Sequence, residues 1–202
     1  MINTVIFDLG GVLIDWNPDY VFDEKYFESQ EQRDFFFQDV CTPDWNENQD
    51  AGYPIAKATE EKLAEFPDWE KPIKDFYGRW MEMLGEQIQG TVDILKKIKK
   101  NKNLKFYALT NWSAETFPVA LKRFEFLQWF DGIVVSGAEK MRKPFPEFYQ
   151  LLLDRYSINP EEALFIDDNL RNVKAAEDLG IKSIHFQEPS GLDLELRNIG
   201  IN

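Results

Sequence analysis

Five short apolar runs, four of them leading into polar residues, constrain this chain more than any other feature. Val5-Ile6-Phe7 runs into Asp8, and residues 104–109 run into Thr110-Asn111. Residues 132–135 lead to Ser136-Gly137, and Ala163-Leu164-Phe165-Ile166 leads to Asp167-Asp168. The fifth run is Ser183-Ile184-His185-Phe186. Segments this short and this continuously apolar are the pattern of strands buried on both faces.

Helical patterns precede and separate the last four runs. Val92, Leu95 and Ile98 share a face, with Thr91 as the expected N-cap and lysines in the last turn to suit the helix dipole. Ser113 is read as the next cap, and Pro146 opens a helix carrying Phe148, Leu151 and Leu152. Asn159-Pro160-Glu161 begins a short helical turn, while Val173, Ala176 and Leu179 line a last helix that Gly180 ends. Alternating strand and helix predicts a Rossmann-like three-layer α/β core with a five-stranded parallel sheet and right-handed crossovers.

Residues 14–86 lack this alternation. They are acidic and aromatic, and Pro43, Gly52, Pro54, Pro67 and Pro72 interrupt them. They read as an all-helical insertion after the first strand, which divides the chain into a core of residues 1–13 and 87–202 and an insert of 14–86. Residues 12–86 hold 19 acids and 7 bases, whereas the remainder holds 17 and 16. The acidity therefore belongs to the insert, as a solvated helical surface. A net charge of −13 over 202 residues argues against nucleic acid or an anionic membrane as partner. No apolar run approaches the length of a membrane span. Cys41 is the single cysteine, so an internal disulfide is excluded. Met1 leads almost directly into the first strand, and a reducing cytoplasm is the expected compartment. Whether the chain is a monomer or a homodimer is left open by the sequence.

A parallel sheet gathers its carboxyl ends at one edge, where open α/β sheets bind ligands. That edge should collect Asp8, Thr110, Asn111, a lysine following the third run, Asp167 and Asp168. The set suits phosphoryl transfer: a carboxylate can attack phosphorus, a hydroxyl and an amide can hold phosphoryl oxygens, a lysine can neutralise them, and further carboxylates can hold a hard divalent cation.

Four stretches resemble the four motifs of the haloacid dehalogenase (HAD) superfamily, in that family's order. They are Phe7-Asp8-Leu9-Gly10-Gly11-Val12-Leu13, Leu109-Thr110-Asn111, Arg142-Lys143-Pro144-Phe145-Pro146 and Phe165-Ile166-Asp167-Asp168-Asn169. The resemblance covers nearly the whole chain and places a helical cap where the insert lies. It implies that Asp8 is the nucleophile, forming an aspartyl-phosphate, and also a Mg²⁺ ligand. It implies Thr110 and Asn111 as phosphate binders, and Lys143 rather than Lys140 as the charge-neutralising lysine. Asp168 would be a direct metal ligand, Asp167 a supporting one, and the main-chain oxygen of Gly10 a further ligand. The implied activity is a Mg²⁺-dependent phosphatase acting on a small phosphorylated metabolite.

One position departs from the pattern. Most phosphatases of that family carry at position 10 an aspartate that protonates the leaving oxygen, and this chain has glycine. The Asp-x-Gly arrangement resembles the branch containing α-D-glucose-1-phosphate phosphatases. An anomeric oxygen leaves readily, so a sugar phosphate, in particular a sugar 1-phosphate, is the expected substrate. Asp15 is read as a surface or hinge carboxylate rather than a replacement acid. The rival readings are a 2-haloacid dehalogenase-type hydrolase, disfavoured by the Asp167-Asp168 pair, and a non-catalytic binding or regulatory protein of the same fold. Trp45, Asp50 and Gly52 resemble a cap's specificity loop, and Trp45 and Trp16 are the expected aromatic contacts to substrate. Asn172 reads as an ordinary surface residue and the lone His185 as a core or edge histidine.

Overall fold

The computed structural model describes residues 1–201. The first half runs β1 (Thr4–Phe7), β2 (Ile14–Trp16), α1 (Gln30–Phe35), α2 (Pro43–Asp50), α3 (Ile55–Glu65), α4 (Glu70–Gly78), α5 (Trp80–Met83) and β3 (Leu84–Gln87). The second half alternates: α6 (Gln89–Ile98), β4 (Lys105–Thr110), α7 (Phe117–Arg123), β5 (Gly132–Val135), α8 (Ser136–Glu139), α9 (Pro146–Tyr156), β6 (Ala163–Asp167), α10 (Leu170–Asp178), β7 (Lys182–His185) and α11 (Pro189–Asn198).

Five strands form one parallel sheet in the order β5-β4-β1-β6-β7, as the apolar runs predict. β1 is central, with Phe7 in register with Ala108 on one side and Ile166 on the other. The chain builds outward from β1 through β4 and β5, then returns to the other side for β6 and β7. The strand order therefore reverses at β1, and a crevice opens beyond its carboxyl end.

Side-chain alternation sorts the core into two layers. Val5 and Phe7 face one side of the sheet and pack with Val92, Leu95, Ile98, Leu192 and Leu196. Ile6 faces the other side, with Phe148, Leu152, Phe165 and Ala176. Helices on both faces make the three-layer α/β arrangement, and the central strands β1, β4 and β6 are largely apolar because neither of their faces meets water, whereas edge strand β7 carries Lys182, Ser183 and His185.

The structure corrects the expectation in three places. Residues 14–86 are not helical at their ends. Ile14–Trp16 and Leu84–Gln87 pair as an antiparallel ribbon, Ile14 opposite Gln87 and Trp16 opposite Leu84. The bond from the Ile88 amide to the Leu13 carbonyl, 2.8 Å, continues this pairing at the junction with the sheet domain. Thr91 is not a cap: it is fully buried within α6, which begins at Gln89 because Ile88 is already anchored to Leu13. Ser113 does not cap α7 directly. Its hydroxyl accepts from the Glu115 amide, and the helix starts at Phe117 with Pro118 in its first turn.

The helices between the ribbon strands have their own core. Phe22 is fully buried, with Tyr26 and Phe36 rings 4.8 and 5.1 Å away, and Val40, Cys41, Ile73, Phe76 and Met83 complete the cluster. Burial pushes the Cys41 thiol up to about 12, so it is a packing group and not a nucleophile. Replacing Phe22 by Ala should cost about 3–5 kcal/mol, the usual cost of an aromatic-sized cavity. Urea unfolding would check this, and a loss under about 1 kcal/mol would show that the cluster is not a packed core.

Candidate active site

The local fold brings most of the predicted residues to one edge. Asp8 follows the last residue of β1, and its amide donates to the Ile166 carbonyl at 2.8 Å, which fixes it against β6. Thr110 ends β4, buried, beside Asn111. Asp167 ends β6, with Asp168 immediately after it. Lys143 reaches in from the loop between α8 and α9.

Lys143 is fully buried, and its ammonium lies 3.0 Å from Asp8 Oδ1 and 2.7 Å from Asp167 Oδ2. Burial pulls this lysine down, but Asp167 and Asp8 outweigh it and hold it above its ordinary value. Asn111 clamps the lysine's backbone: its Nδ2 donates to the Lys143 carbonyl at 3.0 Å and its Oδ1 accepts from the Lys143 amide at 2.8 Å. The structure thus gives the Asn111 amide a positioning task as well as a place in the pocket wall.

Asp167 is fully buried and fully bonded. Besides Lys143, it accepts from the Asn169 amide at 2.8 Å and from Asn172 Nδ2 at 3.1 and 3.2 Å. Asn172 is therefore not a surface residue, contrary to the sequence reading. The helical turn from Asn169, which caps α10, carries Asn172 inward under β6. Its signal was position: one turn beyond a capped strand end, on the helix face that also carries Val173 and Ala176. His185 sits at the end of β7, its Nε2 2.9 Å from the Asp168 carbonyl.

Asp8, Asp167 and Asp168 offer carboxylate oxygens that lie within 4.8 Å of one another. Three acids face one ammonium, leaving an excess of two negative charges when all are ionised. The acids register that excess. Burial pushes Asp8 up to about 7; Lys143 opposes this, and Asp167 and Asp168 add to it. Burial, then Asp167, also raises Asp168. Hard oxygen donors with uncompensated charge fit a hard divalent cation.

The two glycines beside Asp8 differ. Gly11 has φ +71°, and a Cβ there would stand 2.2 Å from Asp168 Oδ2, so only glycine fits. Gly10 has no atom within 4 Å of a would-be Cβ, so a side chain would enter open space.

That space belongs to a pocket of about 260 Å³. Asp8, Gly10, Gly11, Asn111, Trp112 and Asp168 line it from the sheet edge, Trp16 and Trp80 from the ribbon side, and Asn46, Glu47 and Asp50 from α2. The sequence reading singled out Trp16 and not Trp80, Trp112 or Asn46. Trp80 and Trp112 meet edge to face at 5.7 Å. Trp45 does not line this pocket. It packs against Phe76 and Tyr77 at 5.3 and 5.6 Å and borders a separate cavity of about 560 Å³ with Gln49, Tyr53 and Lys62. The helical phase explains the correction: α2 turns Asn46 and Asp50 toward the sheet edge and Trp45 toward α4.

Comparison with known proteins agrees with this geometry. A family model described as haloacid dehalogenase-like hydrolase matches residues 5–186, and the chain belongs to that family. It is a hydrolase with the HAD fold. A sesquiterpene phosphatase of Aspergillus oryzae is 29% identical over 96% of this chain and 94% of its own length. A phosphorylated carbohydrates phosphatase of Thermotoga maritima is 27% identical over 90% and 83%. The match to a drimenol cyclase of Aspergillus calidoustus is 36% identical but spans 52% of this chain and 20% of that protein. A HAD family enzyme of Bacteroides thetaiotaomicron, solved with magnesium and inorganic phosphate, superposes with a TM-score of 0.70 at 23% identity, over 93% of this chain and 96% of that one.

The glycine contrast makes a prediction about stability. Gly11→Ala should destabilise the protein by more than about 1 kcal/mol, since it combines a strained left-handed φ with a close approach to the Asp168 carboxylate. Gly10→Ala should leave the melting temperature within a degree or so, because a surface-like methyl costs roughly ±0.5 kcal/mol. Differential scanning calorimetry of both variants checks this; equal losses would refute the contrast.

Proposed function

We propose that this protein is a Mg²⁺-dependent phosphatase that hydrolyses a small phosphorylated metabolite through an aspartyl-phosphate on Asp8. The observation that carries the reading is the buried set of Asp8, Lys143 and Asp167 beside Asp168 at the carboxyl edge of the sheet. The full-length resemblance to named phosphatases supports it.

Asp8 Oδ attacks phosphorus in line with the departing oxygen. Lys143 orients the attacking carboxylate and opposes the charge on the phosphoryl oxygens. Asn111 borders the pocket in which those oxygens would sit, with Thr110 buried next to it at the end of β4. Asp8, Asp168, Asp167 and the Gly10 carbonyl would hold Mg²⁺, which supplies charge neutralisation between two anions when bound. Asp167, already committed to Lys143, Asn169 and Asn172, serves chiefly to fix Lys143, leaving Asp168 as the freer ligand. A dehalogenase acting on a carboxylate substrate has no need of this surplus of negative charge.

Residues 14–86 act in this reading as a cap. The cap contributes the pocket's aromatic side through Trp16 and Trp80, against which the organic part of the substrate packs. A volume of about 260 Å³ suits a small metabolite, below the roughly 300–1,000 Å³ of drug-sized pockets. Sugar phosphates match that size and the aromatic wall. Sugar 1-phosphates should react most readily among them, because the anomeric oxygen needs least protonation and Gly10 donates none.

Asp8→Asn should abolish Mg²⁺-dependent turnover of p-nitrophenyl phosphate, and Lys143→Ala should lower it by at least about 10²-fold. Steady-state assays with and without EDTA test both. Turnover that survives Asp8→Asn, or that ignores metal removal, would end the proposal.

A further inference from the structure

We infer that Asp50, on the helical insert, is the general acid and base of this active site, protonating the leaving oxygen and then activating the hydrolytic water. This rests on the phosphatase reading above and adds a residue to it.

The argument starts from the pocket's own inventory. Departure of an alkoxide requires a proton donor within reach. Four carboxyl groups line the pocket: Asp8, Glu47, Asp50 and Asp168. Asp8 is the attacking group. Asp168 belongs to the carboxylate cluster that fits a cation. Glu47 is ion-paired to Arg171 at 2.5 Å and also to Arg142, so its carboxylate is already engaged by two guanidiniums. The remaining lining residues are glycines, tryptophans, asparagines and an arginine, none of which exchanges a proton near neutrality. Asp50 alone is a carboxyl with neither a cation nor a metal cluster to hold it ionised.

Asp15 does not compete. Its carboxylate accepts from the Tyr20 hydroxyl and packs over Gly85 on the ribbon, where it does not line the pocket.

Asp50 is also held in place. Asn46 Nδ2 donates to its Oδ2 at 3.2 Å, and the Ser113 amide, three residues beyond Thr110, donates to its carboxylate. Its main-chain carbonyl accepts from the Ser136 hydroxyl at 2.5 Å. The residue thus rides on the insert, but its position is set by the same loop that ends β4. It terminates α2, where the negative end of the helix dipole disfavours a carboxylate. Burial, opposed by the Ser113 amide, pushes it up to about 7, where a group can both give and take a proton. The charged and titratable groups around it are Glu47 on its own helix and the Arg171 it pairs with, Tyr77 on α4 beyond Asn46, Glu115 and Lys140 from the sheet side, and Asp8 and Asp168 across the pocket.

The two steps balance. As the Asp8 oxygen bonds to phosphorus, the bond from phosphorus to the leaving oxygen breaks and its electron pair goes to that oxygen. Asp50 transfers its proton there, giving the free alcohol, the aspartyl-phosphate and an Asp50 carboxylate. Water then attacks phosphorus, the bond to Asp8 breaks, and the water's proton returns to Asp50. Inorganic phosphate and the starting protonation state result.

The test compares kcat/KM, which reports the step that expels the leaving group, across phosphate esters of rising leaving-group pKa. The series runs from p-nitrophenyl phosphate through phenyl phosphate to a sugar 6-phosphate. Asp50→Asn should lose on the order of 10²- to 10⁴-fold more on the sugar 6-phosphate than on p-nitrophenyl phosphate, steepening the dependence on leaving group. Asp50→Ser, smaller and equally unable to exchange a proton near neutrality, repeats the comparison should the amide fail to fold. Equal losses on every ester would mark Asp50 as a structural contact and overturn the inference, as would no loss on the sugar 6-phosphate. Absence of Mg²⁺-dependent turnover in the unsubstituted protein would overturn the phosphatase reading itself.

Discussion

The ammonium of Lys143 between Asp8 and Asp167 is the contact on which the rest of the site depends. A buried ammonium is costly to desolvate, and a buried carboxylate no less so; together, with further hydrogen bonds, they become tolerable. Asp167 therefore needs Asn169 and Asn172, and Lys143 needs the backbone clamp from Asn111. Removing one member leaves an uncompensated charge in a water-poor place. The same network stiffens the site: three strand ends and one loop are tied through two hydrogen-bonded side chains. Even so, Lys143 balances only part of the negative charge around it: burial first, and then the neighbouring acids, raise the proton affinity of Asp8 and Asp168.

The pocket has two owners. One wall is the edge of the parallel sheet, whose position follows from strand order. The other comes from the insert, joined through the ribbon of Ile14–Trp16 with Leu84–Gln87. The two walls meet at close backbone approaches. A Cβ at Gly52 would lie 2.7 Å from the Gly137 carbonyl, and the Asp50 carbonyl takes the Ser136 hydroxyl. Glu47 meets Arg142 and Arg171 at the rim. An acidic insert thus docks on a sheet edge partly by spending one of its own carboxylates on two arginines, which lessens the electrostatic difficulty of admitting an anionic substrate.

The core fold was legible in the sequence because burial on both faces of a parallel sheet leaves an unmistakable pattern of apolar runs. Asp8, Asp167 and Asp168 were legible for the same reason, since strand ends converge by topology; Lys143, on the loop between α8 and α9, was singled out by the motif resemblance. What the sequence concealed depended on helical phase and docking. Trp45 and Asp50 sit on one short helix, yet only the packing of α2 against α4 and the sheet decides which of them faces Asp8. Trp112 and Trp80 meet from segments 32 residues apart, a pairing no local pattern encodes. Asn172 looked like a surface residue because its hydrogen-bond partner is buried below it. The ribbon was hidden because Ile14-Asp15-Trp16 and Leu84-Gly85-Glu86-Gln87 mix apolar with polar residues and are partly exposed, without the apolar run of the sheet strands, and Thr91 because anchoring at Ile88 starts its helix early.

Gly10 and Gly11 bring these threads together. Gly11 is dictated by geometry, since both its backbone conformation and the approach of Asp168 forbid a side chain. Gly10 is dictated by neither, and the space above it is open. Sterics therefore do not explain why position 10 lacks a side chain; the explanation must lie in what occupies the pocket. A carboxylate there would add a further negative charge beside three acids already raised or balanced by a single lysine. Carrying the proton on Asp50 instead places it on the opposite wall, away from the cation-binding carboxylates and held by an amide rather than by an ion. Nucleophile and proton donor then belong to different structural units, and the donor is in register only while the insert is seated on Ser113 and Ser136.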